Sequence, residues 1–356
     1  MLVCPLCADS YESRVSLSPC ILIMSLCVFY HYQVCHLIPQ YQYPCNCDSH
    51  ISTSFMCDSL GFHIILLLYV VIIVISVFAN ILVLFAICLN RKLHTVPNMI
   101  IRSLCTVDIL LSIVGIPIMI HIYHHSECSS VVDNNKSDIL WCIPNFFFTC
   151  SLHHILLLTS DRFIAIVIPL HYTTSYISDA KYMKFFITFI WGFNISWYAP
   201  VLVLDSFHFN LFENEIYYTC TYIICYAIPF VLIVAMHVWI FSEILNWRTK
   251  RLGGLHTRGA VTIFWIFLAL FITFVPGILY GIIHYYLPTF FDTSAKTQRL
   301  LSASTNCLKV FNCFLNPLIY SLKMKSFKST LVKKINLCLG RNQIMDIATV
   351  KQDLKE

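Results

Sequence analysis

The chain has 356 residues, of which 58% are hydrophobic and only 12% charged, against roughly 45–50% and about 25% in soluble domains. That balance excludes an ordinary water-soluble globular protein. The formal net charge of +5 is not gathered into a basic stripe interleaved with aromatics, so nucleic acid is excluded as the natural partner.

Residues 1–58 carry eight of the 18 cysteines without a repeated metal-ligand spacing, and Cys4–Cys7 alone is a weak pair signal. The stretch Leu17–Tyr30 is apolar, about 14 residues long, and follows Arg14. It suits a signal-peptide core better than a span. An upstream extension, with Met24 or Met56 as the start, is the alternative.

A hydrocarbon core of about 30 Å needs about 20 helical residues. Seven apolar runs of that order follow, at 62–89, 97–124, 138–166, 182–204, 219–246, 258–286 and 299–322. Connections between them are short, so residues 59–322 are expected to form one all-α membrane domain, a seven-transmembrane helix bundle. Lys and Arg concentrate in alternate connections and in the tail from Lys323 to Arg341, while the other loops are nearly bare. By the positive-inside rule the N-terminus lies outside and the C-terminus in the cytoplasm. Asn135-Lys136-Ser137, a glycosylation sequon, falls in the first outer loop; Asn194-Ile195-Ser196 falls inside a span, where it would be inert.

The third run ends Ser160-Asp161-Arg162-Phe163, followed by Pro169-Leu170-His171-Tyr172. The seventh ends Asn316-Pro317-Leu318-Ile319-Tyr320, with Phe327 seven residues later. These resemble the DRY…PLxY and NPxxY signatures of rhodopsin-like G-protein-coupled receptors, with Phe163 in place of a tyrosine. Asn80, Leu104, Asp108, Trp191, Pro229 and Pro276 stand at matching places, so the resemblance covers about residues 60–338. For Trp191, Pro229 and Pro276 packing and kinking are sufficient roles.

The resemblance implies a receptor that takes an extracellular ligand among the outer halves of the spans and activates heterotrimeric G proteins. Arrestin and receptor kinases are further expected partners. It also implies a short amphipathic helix along the membrane within 323–356, where the basic tail meets anionic lipid and Cys338 is a palmitoylation candidate. An unpaired carboxylate inside a span is costly, so Asp108 requires company. By similarity to the family's sodium pocket, Asn80, Ser151, Asn312 and Asn316 supply it, with oxygens suited to a hard cation and water. Asp161 would hold Arg162 until an outward movement of the sixth span frees it, and Tyr320 would then swing inward.

Three departures matter. The sixth span reads Thr273-Phe274-Val275-Pro276, putting Phe274 where the family has a toggle tryptophan, and His237 and His256 replace a tyrosine and an acid near the inner end. A weaker hold on Arg162 and substantial basal signalling are therefore expected. The family's outer cysteine aligns with Ser137, leaving Cys142–Cys220 as a bridge candidate and Cys128 as an alternative partner. Finally, the acid that amine receptors use in the third span is Pro144 here, which argues against a biogenic amine.

Lys309, eight residues before Pro317, puts a cation at bilayer depth, where it either meets an anionic ligand or snorkels. An opsin's retinal lysine lies one residue nearer the proline, about 100° around the helix, so a photopigment is one alternative and a membrane transporter another. Some phrases around Pro169 and Asn316 are similar to odorant receptors, which suggests a divergent chemosensory branch. No HExxH, GxSxG, phosphate loop or paired intramembrane carboxylates support an enzyme, and internal inverted repeats or a filter motif are not visible.

Overall fold

The computed structural model describes residues 60–128, 140–169, 172, 179–205, 215–249, 256–287 and 295–323. These residues are helical and contain no strand: α1 is Leu60–Leu89, α3 Cys142–Val167, α4 Ala180–Asp205, α6 His256–Tyr286 and α7 Ala295–Lys323. Helix α2 runs Val96–Leu110, widens into a π-turn over Leu111–Gly115 and continues as Ile116–Cys128. Helix α5 runs Glu215–Cys220, widens over Thr221–Ala227 and continues as Ile228–Thr249. In hydrocarbon each backbone N–H and C=O needs an internal partner, which favours unbroken helices over these apolar runs.

Helices α1 to α6 are long and apolar enough to cross a membrane by length and composition. Helix α7 is 29 residues long but is interrupted by Thr305, Asn306, Lys309, Asn312 and Asn316, so its span is amphipathic. Most helices outrun the corresponding apolar runs by one to a few residues, because hydropathy marks the buried slab and not the polar turns beyond it. At the start of α3 the offset reverses: the helix begins at Cys142, later than the apolar run at 138.

Packing sets the site. Helix α7 lies against α6 and α1, α3 against α2, α4 and α5, and α1 against α2. The largest core cluster, including Tyr69, Leu104, Leu111, Phe148, Phe274 and Val310, fills the centre of the bundle. The outward faces are equally apolar, with Leu67, Phe78, Phe185, Phe189, Val231 and Trp239 all exposed. An apolar surface of that extent is suited to lipid and not to water.

Prolines lie inside α4, α6 and α7, at Pro200, Pro276 and Pro317, and also inside α2 and α5, at Pro117 and Pro229 just beyond their π-turns. Proline removes one helical hydrogen bond, and both α2 and α5 add a π-turn, a distortion common at functional sites. Asp108 precedes the first π-turn, whereas Tyr222 and Cys225 lie inside the second.

Candidate ligand cavity and signalling core

Asp108 is fully buried. Its Oδ1 accepts a hydrogen bond from Ser151 Oγ of α3 (3.1 Å), and its Oδ2 a longer one from Asn316 Nδ2 of α7 (3.4 Å). Asn80 Nδ2 of α1 donates to Cys313 O of α7 (2.8 Å) and to Ser76 O (2.9 Å). Asn312 is buried one helical turn before Asn316. The structure therefore brings Asn80, Asp108, Ser151, Asn312 and Asn316 onto the facing sides of four helices.

Two members escape the sequence reading. Ser112 Oγ lies 2.7 Å from Asp108 O and 2.8 Å from Ser76 Oγ, linking α2 to α1. Their only signal is spacing, since each stands four residues from a polar partner on the same helix face. One acceptor is left over: Asn80 Oδ1 is sealed from solvent and has no hydrogen-bond partner. Orphaned buried acceptors are rare and call for an explanation.

Near the C-terminal end of α3, Asp161 Oδ2 accepts hydrogen bonds from Arg162, from Nε at 2.7 Å and from an Nη. The same carboxylate takes the Tyr172 hydroxyl on Oδ1 (3.1 Å). Asp161 is buried while the Arg162 side chain is 37% exposed, so the pair sits at a boundary. Burial and the neighbouring Asp161 carboxylate raise the Tyr172 hydroxyl above its ordinary pKa, so it stays a donor. His237 turns its Nδ1 to Ile233 O (2.8 Å) and stacks on Phe267, not on Arg162. Phe274 is buried in the central core. Asn135, Cys338 and the side chains of Cys128, His256 and Tyr320 lie outside the described residues.

A second polar cluster joins α2, α3 and α4. Trp191 Nε1 donates to Ser103 Oγ (3.0 Å), Ser103 Oγ lies 2.8 Å from His154 Nε2, and His154 Nδ1 lies 2.8 Å from Cys150 O. A carbonyl can only accept, so Nδ1 carries the ring proton and Nε2 accepts from Ser103. Beside it, Asn194 accepts from Thr149 Oγ1 (2.8 Å) and donates to Ile190 O (2.8 Å). Trp191 thus does more than pack, and the buried Asn194 has no access to a glycosylating enzyme.

Among the N-terminal parts of α3, α5 and α7 and the C-terminal parts of α4 and α6 lies a cavity of about 240 Å³. Its walls include Tyr217, Tyr218, Tyr222, Tyr226 and Tyr280, and Lys309 reaches it from α7. The Lys309 ammonium stands 5.6 Å from the ring centre of Phe148 and 5.9 Å from that of Tyr226, within cation–π range. Among the described residues no carboxylate lines this cavity, and none is paired with Lys309.

Helix α6 makes the room. A Cβ at Gly277 would collide with the Lys309 side chain, and one at Gly281 with the Tyr222 ring. Tyr222 instead donates its hydroxyl to Ile278 O (2.8 Å), two residues past Pro276 in the continuous helix α6. Tyr226 donates to Asn145 Oδ1 (2.9 Å). The Tyr198 hydroxyl, on a residue only 3% exposed, stands near Thr149 and Tyr226 but forms a well-aligned hydrogen bond with neither.

The sulfurs of Cys142 and Cys220 are not joined to each other. Cys142 packs with Tyr198 and Val201 between α3 and α4, while Cys220 ends the first stretch of α5 as a partly buried thiol. Sequence separation does not reveal which way each helix turns its cysteine.

The model of the 7 transmembrane receptor (rhodopsin family) matches residues 79–320. The 5-hydroxytryptamine receptor 1D of Oryctolagus cuniculus is 30% identical over 194 residues, covering 49% of this chain and 48% of the relative. The D(2) dopamine receptor A of Xenopus laevis is 22% identical over 201 residues, 52% of this chain and 42% of the relative. A D(2)-like dopamine receptor of Takifugu rubripes is 23% identical over 193 residues, 52% and 41% respectively. The chain spans less than half the length of these relatives. Both sequence motifs, Asp161-Arg162 and Asn316-Pro317-Leu318-Ile319-Tyr320, fall within the matched residues.

Proposed function

Because this chain belongs to the rhodopsin family of seven-transmembrane receptors, we propose that it is a multi-pass receptor of the plasma membrane, N-terminus outside, which binds an extracellular ligand in the Lys309 cavity and activates heterotrimeric G proteins. One observation carries this reading: a single buried cluster around Asp108 ties α1, α2, α3 and α7 together below the cavity. Arg162 meanwhile is held at the inner end of the same α3. A ligand that favours a different packing of α6 and α7 would act on both through an equilibrium already present. The matches give the transporter and photopigment alternatives no support.

The residues around Asp108 fit a hard cation. The carboxylate, Ser151 Oγ and the orphaned Asn80 Oδ1 are oxygen donors, and a sodium ion there would offset a buried negative charge. The chain's own contribution is to hold those oxygens on three helices. At the inner face, Asp161 and Tyr172 hold Arg162 in place until the G protein takes it, and Tyr320 would fill the space opened by α6. Arrestin and receptor kinases would use the same inner face, and lipid the tail.

The amines in the relatives' names do not carry over to this chain. Pro144 is buried where an amine-binding acid would stand, and the cavity offers a cation in place of an anion.

Nucleotide exchange on purified heterotrimeric G proteins, driven by membranes bearing the chain, tests the reading. Exchange above mock membranes is expected without added ligand, because Phe274 and His237 relax the usual restraints. Arg162→Ala should return it to the mock level with surface expression retained. Wild-type membranes indistinguishable from mock across all G-protein classes would overturn the reading.

A further inference from the structure

Resting on that receptor reading, we propose that the cavity selects a compact organic acid: its oxyanion meets Lys309, its ring lies among the tyrosines, and a second polar group meets the Tyr198 hydroxyl. Three independent observations converge. The first is charge. Lys309 is an ammonium inside the bundle with aromatic faces near it and no carboxylate bonded to it among the described residues. Cation–π contact offsets only part of the cost of withdrawing a cation from water. An incoming oxyanion supplies the missing partner by a charge-assisted hydrogen bond.

The second is the Tyr198 hydroxyl, buried on the cavity wall beside Thr149 and Tyr226 but without a well-formed hydrogen bond to either. An unsatisfied hydroxyl lowers stability, and a ligand oxygen would complete it. The third is size and texture. At about 240 Å³ the space is just below the usual range of small-molecule sites, roughly 300–1,000 Å³, which suits a compact guest. Its aromatic walls suit a ring, stacked or edge-on. Gly277 is what lets Lys309 enter: any side chain there would displace the ammonium.

The probe set is 4-hydroxyphenylacetate, phenylacetate, phenyl phosphate and tyramine, with binding measured on the purified full chain in nanodiscs by thermal shift and titration calorimetry. Tyramine matches 4-hydroxyphenylacetate in ring and hydroxyl and differs in the sign of its charge. The acid should bind saturably and tyramine should not compete. Tighter binding of phenyl phosphate than of the carboxylates would assign the oxyanion to a phosphate ester and still support the site.

Lys309→Gln should weaken acid binding about 10–100-fold, the loss of a hydrogen bond to a charged group. Gly277→Ala, which keeps the charge but obstructs its path, should weaken it in the same direction. Tyr198→Phe should weaken 4-hydroxyphenylacetate about two- to tenfold, leave phenylacetate unchanged, and leave the ligand-free protein as stable as wild type or more so. A purely structural tyrosine would give the opposite stability change. Tyramine binding as tightly as the acid, no saturable binding of any of the three anions, or acid binding unaltered by both Lys309→Gln and Gly277→Ala, would each overturn the proposal. Exchange that survives without acid binding defeats this inference alone. Acid binding without any exchange defeats the receptor reading instead.

Discussion

The α2–α3–α4 seam and the Asp108 pocket are both polar clusters buried in a greasy bundle, yet one is closed and the other is not. In the seam each group has its complement: Trp191 gives to Ser103, Ser103 to His154, His154 to the Cys150 carbonyl. Around Asp108 a carboxylate receives one ordinary and one long hydrogen bond, and Asn80 Oδ1 receives none. Completed networks in low dielectric rigidify, while incomplete ones leave room for water, ions or movement. On the proposed reading the seam is scaffold, and the pocket is where the bundle changes state.

Substitutions in the two clusters should separate these roles, and their effects on stability can be ranked by chemical denaturation in mixed micelles. His154→Leu leaves the partly buried Ser103 hydroxyl without its acceptor, while the Cys150 carbonyl keeps its helical N–H, and should lower stability by about 2–3 kcal/mol. Exchange per folded receptor should stay at the wild-type level; a large change in signalling would mean the seam is part of the switch. Ser103→Ala strands the Trp191 N–H and should lower stability by about 1–2 kcal/mol. Asn80→Ala breaks the link to α7 but also deletes the orphan acceptor, so about 1 kcal/mol is expected, and a loss as large as that of His154→Leu would contradict the unfinished character of the pocket. Asp108→Asn should have the smallest effect on stability, within about 0.5 kcal/mol, yet should abolish any dependence of ligand-free exchange on sodium concentration. Sodium sensitivity that persists in Asp108→Asn would remove the cation from this pocket.

The fold is readable in the sequence because membrane spans announce themselves by length and hydropathy, and because Asp161-Arg162 and Asn316-Pro317 mark the ends of two of them. Asp108 and Lys309 are conspicuous for a related reason: charge is rare and costly in such runs. What escapes is whatever depends on rotation about a helix axis. Ser76 and Ser112 look like any small polar residue in a span until the structure turns them towards each other. Cys142 and Cys220 stand at suggestive positions, yet their side chains belong to different contacts. Tyr198, Gly277 and Gly281 carry no local signature, since their significance is a shared void that no single helix contains. The two π-turns are equally silent, being a backbone response to packing.

On α6, two missing methyl groups do the shaping. Gly277 and Gly281 sit one turn apart and admit Lys309 and Tyr222 respectively, so the dimensions of the chamber are dictated by one helix while its charge arrives from another. Volume and polarity can consequently drift separately in descendants of this gene: an alanine on α6 would trim the guest, and a neutral residue on α7 would change its kind.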